Sequence, residues 1–548
     1  MRHATDSDNV WASPVRSLRN GKVYGEFFDE PTAKKLSQGT ASQPQTRILP
    51  TIAPSSFSLG PLANRPPQYQ NQYLLVNHDG WLRLAAVSRR VLALPPELLA
   101  EIFYFCLPFH DERPHIPDPN DAPLVLCAVC RQWRNVALAT PWLWSSICFD
   151  LSTLGTTYAM DSDEWWGECW WELYWDWEWA DSWDLYIDLC CSWLSRARNT
   201  PLSISFDDDY VYYEDHALLL ELVCDLSHQW RDINFPEDLP RLSLPVDGKY
   251  PFLEKLRMPW LPSEHPILSF RDAPRLHDVC IPNYTTNIQL PWHQLTKFHA
   301  DRIDIEPCLE LFCYASNLVD AHLDIPTYHP STRPNYDTIF TLPQLEILNL
   351  RGTDDDDDGF FISAGMMLMS LLKCLKTPAL KTFTLGPHYD QGSIDTSLRD
   401  ISSFLSFISR SALQLHTLTL CYIPTTADTI IECLKAMPSV VHLELRISDD
   451  IYNGNPVIAQ FTGYRDFLPE LQRLQIAFPK TTTVDVSLVI GLLVWRCMTV
   501  GVTPLQSCRF AVYNDHATQL PSSLKPIKTH PVFLELAASG MELSLACI

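Results

Sequence analysis

One six-residue pattern dominates what this chain can fold into: apolar, two others, apolar, one other, apolar. It recurs eleven times between Trp230 and Phe510. The occurrences are Trp230/Ile233/Phe235, Leu253/Leu256/Met258, Leu276/Val279/Ile281, Leu295/Phe298/Ala300, Leu318/Ala321/Leu323, Leu345/Leu348/Leu350, Leu380/Phe383/Leu385, Leu415/Leu418/Leu420, Val440/Leu443/Leu445, Leu471/Leu474/Ile476 and Leu505/Cys508/Phe510. The last two apolar positions alternate with polar ones, which suits a short strand with one face buried. Helical spacing fills the stretches Leu218–Leu226, Ile305–Tyr314, Ile401–Ser409, Ala427–Lys435 and Val486–Cys497. A helix and a strand of this size bury their apolar faces only by stacking on the next such pair, so the pattern predicts a solenoid with parallel strands. The outward strand positions, Glu346, Asn349, Thr417, Thr419, His442 and Glu444 among them, are then candidate contacts for a protein target.

The pattern resembles the core of a leucine-rich repeat. Successive occurrences lie 19 to 35 residues apart, and the Asn or Cys that follows the strand in tidy repeats is mostly missing. Arg351-Gly352 follows Leu350, and Arg446-Ile447 follows Leu445. The resemblance therefore implies an irregular array over residues 183–548.

Upstream, residues 1–72 are rich in Pro, Ser, Gln and Thr and have neither helical nor strand period. Such a segment buries too little apolar surface to offset ordering entropy, and a disordered tail is expected. Beyond it, Leu94-Pro95-Pro96-Glu97-Leu98-Leu99-Ala100-Glu101-Ile102-Phe103 places two prolines at a helix entry, where a missing N–H costs little. Leu98/Leu99, Ile102/Phe103 and Cys106 follow at helical spacing. A second helix is expected from about Ala122-Pro123, with Leu126, Val129/Cys130, Trp133 and Val136/Ala137 on one face. Val129-Cys130-Arg131-Gln132-Trp133, Pro141 and Trp144 complete the motif.

This order of residues over 92–147 is similar to the F-box family, in particular to the F-box-like proteins abundant in mushroom-forming fungi. The resemblance implies docking onto the Skp adaptor of a cullin-RING ubiquitin ligase. Leu94, Pro95, Leu98, Ile102, Phe103, Val129 and Trp133 are the core or adaptor-facing positions it implies. The stretch between Leu107 and Val125 is longer than the family's usual link, and a surface loop accommodates such an insertion at little cost. The expected fold class is α/β: a small all-helical F-box module followed by an irregular leucine-rich-repeat solenoid.

Charge narrows the partners. With 41 Lys+Arg against 65 Asp+Glu, the net charge of −24 repels phosphate backbones and anionic lipid, and no basic cluster intervenes in the sequence. Nucleic acid and membrane are therefore not expected partners. Met1–Val10 lacks the apolar core of a signal peptide, and Ser487–Trp495 is far shorter than the roughly 20 residues of a spanning helix. The 17 cysteines follow no repeated short spacing, as expected of small buried residues in the reducing cytosol or nucleus.

Three local features invite a chemical reading. Residues 161–188 hold 8 of the 18 Trp and ten acidic residues with no Lys or Arg. Trp166, Trp170, Tyr174 and Trp177 align at helical spacing, which suits a docking surface for a basic partner or a solvated insertion lying on the first repeat. The run Asp354–Asp358 lacks the alternate spacing of a calcium loop and reads as solvated. Cys127 and Cys130 form a C-x-x-C without two further ligands nearby, so packing is expected rather than zinc. No phosphate loop, nucleophile elbow or H-E-x-x-H pair occurs, and no cofactor is expected. The sequence thus suits a non-enzymatic substrate-receptor subunit, or alternatively a non-ligase scaffold that uses the array and the Trp-acidic segment.

Overall fold

The computed structural model describes residues 94–108, 117–118, 120–149, 177–206, 217–235, 248–260, 267–285, 287–326, 338–353, 364–387, 401–421, 426–447, 454–478, 484–499, 501–512 and 524–547. The expected tail over 1–72, residues 161–176 of the Trp-acidic segment and the Asp354–Asp358 run lie outside these residues.

Among the described residues, fourteen strands form one sheet. They are β1 (Ser146–Phe149), β2 (Leu202–Phe206), β3 (Trp230–Asn234), β4 (Lys255–Arg257), β5 (Asp278–Cys280), β6 (Lys297–Ala300) and β7 (Asp320–Pro326). Then come β8 (Ile347–Thr353), β9 (Thr382–Pro387), β10 (Thr417–Cys421), β11 (His442–Arg446), β12 (Arg473–Phe478), β13 (Ser507–Val512) and β14 (Glu542–Cys547). Each strand pairs in parallel with the next one in the chain, so spatial order equals sequence order from end to end. That order is what stacking of successive helix–strand units produces.

The apolar pattern sets the register. Phe298, Ala321, Leu348, Phe383, Leu418, Leu443, Leu474 and Cys508 stand in line across eight strands. Every apolar position of the eleven motifs is buried, with Leu505 the most accessible at 5%. A shift by one residue would turn this whole set to the opposite face. Three strands fall outside the motif count. β1 fits the spacing through Trp144, Ile147 and Phe149. In β2 the apolar residues are Leu202, Ile204 and Phe206, one residue tighter, and a register shift against β3 absorbs the difference. In β14, Gly540 stands where the first apolar residue would be, and Leu543 and Leu545 keep the other two.

Tidy repeats tie their turns with a side-chain ladder that this sequence lacks, and the backbone takes over here. The second residue of each motif donates its N–H to the carbonyl of its counterpart one repeat earlier. The series runs from Glu254 on Arg231 through His277, Thr296, Val319, Glu346, Lys381, His416, Val441 and Gln472 to Gln506, at 2.7–3.1 Å. Side chains supplement it: Gln294 donates to the Ala273 and Leu276 carbonyls, Asn317 to that of His293, and Ser439 to that of Leu415. Each of these three immediately precedes its motif. Two arginines close turns in the same way. Arg410 donates to the Leu372 and Leu375 carbonyls, and the buried Arg496 to those of Phe467 and Leu468.

Helices cover the apolar face. The N-terminal ones are α1 (Pro96–Tyr104), α2 (Leu124–Val129), α3 (Arg131–Ala139), α4 (Trp177–Ala197) and α5 (Ala217–Asp225). Between strands lie α6 (Ile305–Tyr314), α7 (Ala364–Cys374), α8 (Ile401–Ser411), α9 (Ala427–Lys435), α10 (Asn455–Gln460), α11 (Val486–Met498), α12 (Lys525–Lys528) and α13 (Pro531–Ala538). The five helices expected within the array are present to within two residues. Between β3 and β6 the described residues hold no α-helix, only the 3-10 turn Trp292–Gln294. Short strands at Leu268–Ser269 and Ile288–Gln289 pair there instead.

The single second helix expected near Ala122-Pro123 is two helices. Cys130 is extended (φ −160, ψ 169), ends α2, and caps α3 by accepting the Trp133 N–H on Sγ at 3.5 Å. The first helices also share a core with the sheet. Phe103 packs on Trp133 at 5.0 Å, and Trp144 meets Trp193 of α4 edge-on at 5.0 Å. Trp144 Nε1 donates to the Ala137 carbonyl, Trp193 Nε1 to that of Ser146, and the Arg196 guanidinium lies over the Trp144 ring.

Candidate functional site

Two surfaces carry the residues singled out in the sequence. The first is on α1. Pro95 stands at its start with Pro96 in the first turn, and the helix turns Leu99, Ala100 and Phe103 into the core. Its other side holds Leu98 (52% exposed), Ile102 (43%) and Phe105 (72%), and Val129 (56%) is exposed at the end of α2. Positions 98, 102 and 105 follow i, i+4, i+7, one stripe along a helix. The structure thus divides the implied adaptor-binding set. Leu98, Ile102, Val129 and Pro95 face outward, Phe103 is core, and Leu94 and Trp133 are half-buried against it. Phe105 was overlooked, although the spacing that singles out Leu98 and Ile102 leads to it. Solitary exposed apolar residues are ordinary, but a helical stripe of three is a surface awaiting cover.

The second surface is the polar face of the sheet. One row of outward positions reads Asp232, Lys255, Asp278, Lys297 and Asp320 across five adjacent strands, so each charge has an opposite neighbour in register. Beside this row lies a compact network. His299 Nε2 is 2.9 Å from Asp301 Oδ1, and His322 Nε2 is 3.1 Å from Asp320 Oδ1. Asn349 Nδ2 lies 3.2 Å from His322 Nδ1, and Arg351 Nε donates to Asn349 Oδ1 at 3.1 Å. Hydrogen bonds to Asp301 and Cys280 hold the His299 imidazolium well above its usual range. Burial pushes the Asp324 carboxyl up to about 6, against the pull of Arg351.

Toward the C-terminal end the same face forms a groove of about 420 Å³. Thr417, Thr419, His442 and Glu444 line it, together with Arg473, Gln475, Ser507, Arg509 and Ser544. Four of the six candidate contacts therefore meet in one depression. Asn349 belongs to the histidine network instead, and Glu346 pairs with Lys381 at 2.7 Å. The arginines were missed, although they occupy the same motif positions two and three repeats further on. Glu444 accepts from Arg446 Nε at 2.8 Å and from Gln475 at 3.0 Å. Burial and the neighbouring Arg473 and His416 charges lower the His442 pKa.

Among the described residues, no cluster of His, Cys, Asp or Glu suits a metal ion, and no helix is long and apolar enough to cross a membrane. Cys127 is half-buried, and burial raises its thiol pKa, as packing requires. No protein-family model matches the chain, and no curated protein is similar to it. The fold is an α/β solenoid of leucine-rich-repeat type.

Proposed function

We propose that this chain is the substrate-receptor subunit of an SCF-type cullin-RING ubiquitin ligase. Its first helices dock a Skp-type adaptor, and the polar face of the sheet holds a protein target. The observation that carries the reading is the exposed stripe Leu98, Ile102 and Phe105, on a helix whose opposite side is fixed by Leu99 and Phe103. These side chains are already about half covered, so burying the rest of a leucine or isoleucine contributes roughly 1 kcal/mol each, and the stripe supplies part of the energy that holds a partner. Ubiquitin transfer would take place on partner enzymes, and this chain would contribute proximity of the target's lysines.

Pull-down with purified Skp adaptor is the test. The intact protein is expected to capture it, and Leu98→Ala with Ile102→Ala is expected to abolish capture while leaving the melting temperature unchanged, since both side chains are exposed. No capture by the intact protein, or capture indifferent to that pair and to Leu94→Ala with Pro95→Ala, defeats the proposal.

A second reading rests on the shared core around Trp144 and Trp193. In it the first helices serve only to close the end of the sheet, in a scaffold outside any ligase. That reading expects target capture without any adaptor.

A further inference from the structure

We infer that the groove between β10 and β14 seats an acidic segment of the protein target, with a Glu or Asp carboxylate held between Arg473 and Arg509. The inference rests on the reading that this face holds a target, and it gives that target a chemistry.

The two guanidinium groups sit one strand and two residues apart, since Arg473 is in register with Ser507 and Arg509 with Gln475. Among the described residues, neither forms an ion pair or a hydrogen bond. Arg509 Nε is buried and has no hydrogen-bond partner among the described residues. A buried donor left unsatisfied costs free energy, and one at the wall of a groove is positioned for a ligand's acceptor. Elsewhere on this face Lys255 and Lys297 stand in register between Asp232, Asp278 and Asp320. Two unmatched arginines in a chain of net charge −24 therefore stand out.

The groove's own carboxylates do not fill the role. Glu444 is committed to Arg446 and Gln475, and the exposed Glu542 lies a strand beyond Arg473's neighbour Ser507. The remaining lining is neutral and hydrogen-bonding, with Thr417, Thr419, Ser507 and Ser544 set on alternating outward positions. Burial, and after it the neighbouring Arg473, disfavours a proton on His442, so its ring joins the lining as a neutral hydrogen-bonding group. A monoanionic carboxylate matches two arginines flanked by hydroxyls. Glu444 lines the same groove, so a phosphate dianion meets more repulsion there than a carboxylate does.

The test is fluorescence anisotropy of the full chain with labelled decaglutamate, decaglutamine and a phosphoserine-containing glutamine peptide. Decaglutamate is expected to bind, decaglutamine not to bind, and the phosphopeptide to bind no more tightly than decaglutamate. Arg473→Gln with Arg509→Gln is expected to weaken decaglutamate binding at least tenfold. The exposed Arg473→Gln alone gives a partial loss in a protein that keeps its fold, and Arg509→Gln leaves the melting temperature unchanged or raised. Absent decaglutamate binding, binding unaffected by the substitutions, or preference for the phosphopeptide each overturns the inference. Adaptor capture read in parallel separates the two proposals: capture without decaglutamate binding sinks this one alone, and decaglutamate binding without capture sinks the ligase reading alone.

Discussion

Asp324 on β7 is buried beside Arg351, its register partner on β8, and burial outweighs that cation in pushing its carboxyl up to about 6. The sign follows from linkage. Below about pH 4 the group is protonated in both states; between about 4 and 6 the unfolded chain ionises first, so the native state loses stability as pH rises. The shift sets an upper limit of about 3 kcal/mol on that loss. Chemical denaturation at about pH 4 and about pH 8 should show Asp324→Asn gaining on the parent at the higher pH by up to that amount. An unchanged gap between the two pH values would refute it. Gly386 on β9 is fixed for a different reason. Its φ of +140 and the 2.0 Å separation between a would-be Cβ and the Cys421 carbonyl oxygen admit no side chain.

At the scale of elements, periodicity was a reliable guide wherever an apolar stripe ran unbroken. Ala427–Lys435 and Ile305–Tyr314 have the expected bounds because Ile430, Ile431 and Leu434, and Cys308, Leu311 and Phe312, repeat at helical spacing. The same rule merged α2 with α3, since Leu126, Val129 and Trp133 keep the period across the break at Cys130. Nothing local marks that break: a cysteine is an unusual helix cap, and its weak acceptor gives little warning. The cap suggests an improvement. Cys130→Ser supplies a stronger acceptor for the Trp133 N–H, and about 0.5–1 kcal/mol of added stability is expected in denaturant titration. A loss of stability would mean that Sγ packing against the neighbouring helices outweighs the cap. The α1 stripe is a comparable case. Spacing identified Leu98 and Ile102, whereas the choice of Phe103 as core and Phe105 as surface depends on where α3 lies, through the Phe103–Trp133 contact.

Across the whole molecule, each strand contacts only its neighbours, so damage should stay local. Leu348→Ala at the centre of β8 removes a fully buried side chain and should cost roughly 2–5 kcal/mol. Hydrogen exchange is expected to quicken in β7, β8 and β9 and to remain slow in β2 and β13, whereas uniform quickening would contradict nearest-neighbour coupling. The order of the eleven motif strands, the identity of their buried rows and the five helices of the array were determined by the sequence alone, because a two-residue alternation and a helical stripe are local patterns that read the same in any context. The backbone ladder that replaces the missing side-chain ladder, and the meeting of Thr417, His442, Arg473 and Arg509 in one groove, were decided only in the tertiary structure. Outward positions carry no apolar constraint, and which of them share a surface depends on the register of strands 25 to 34 residues apart in the chain.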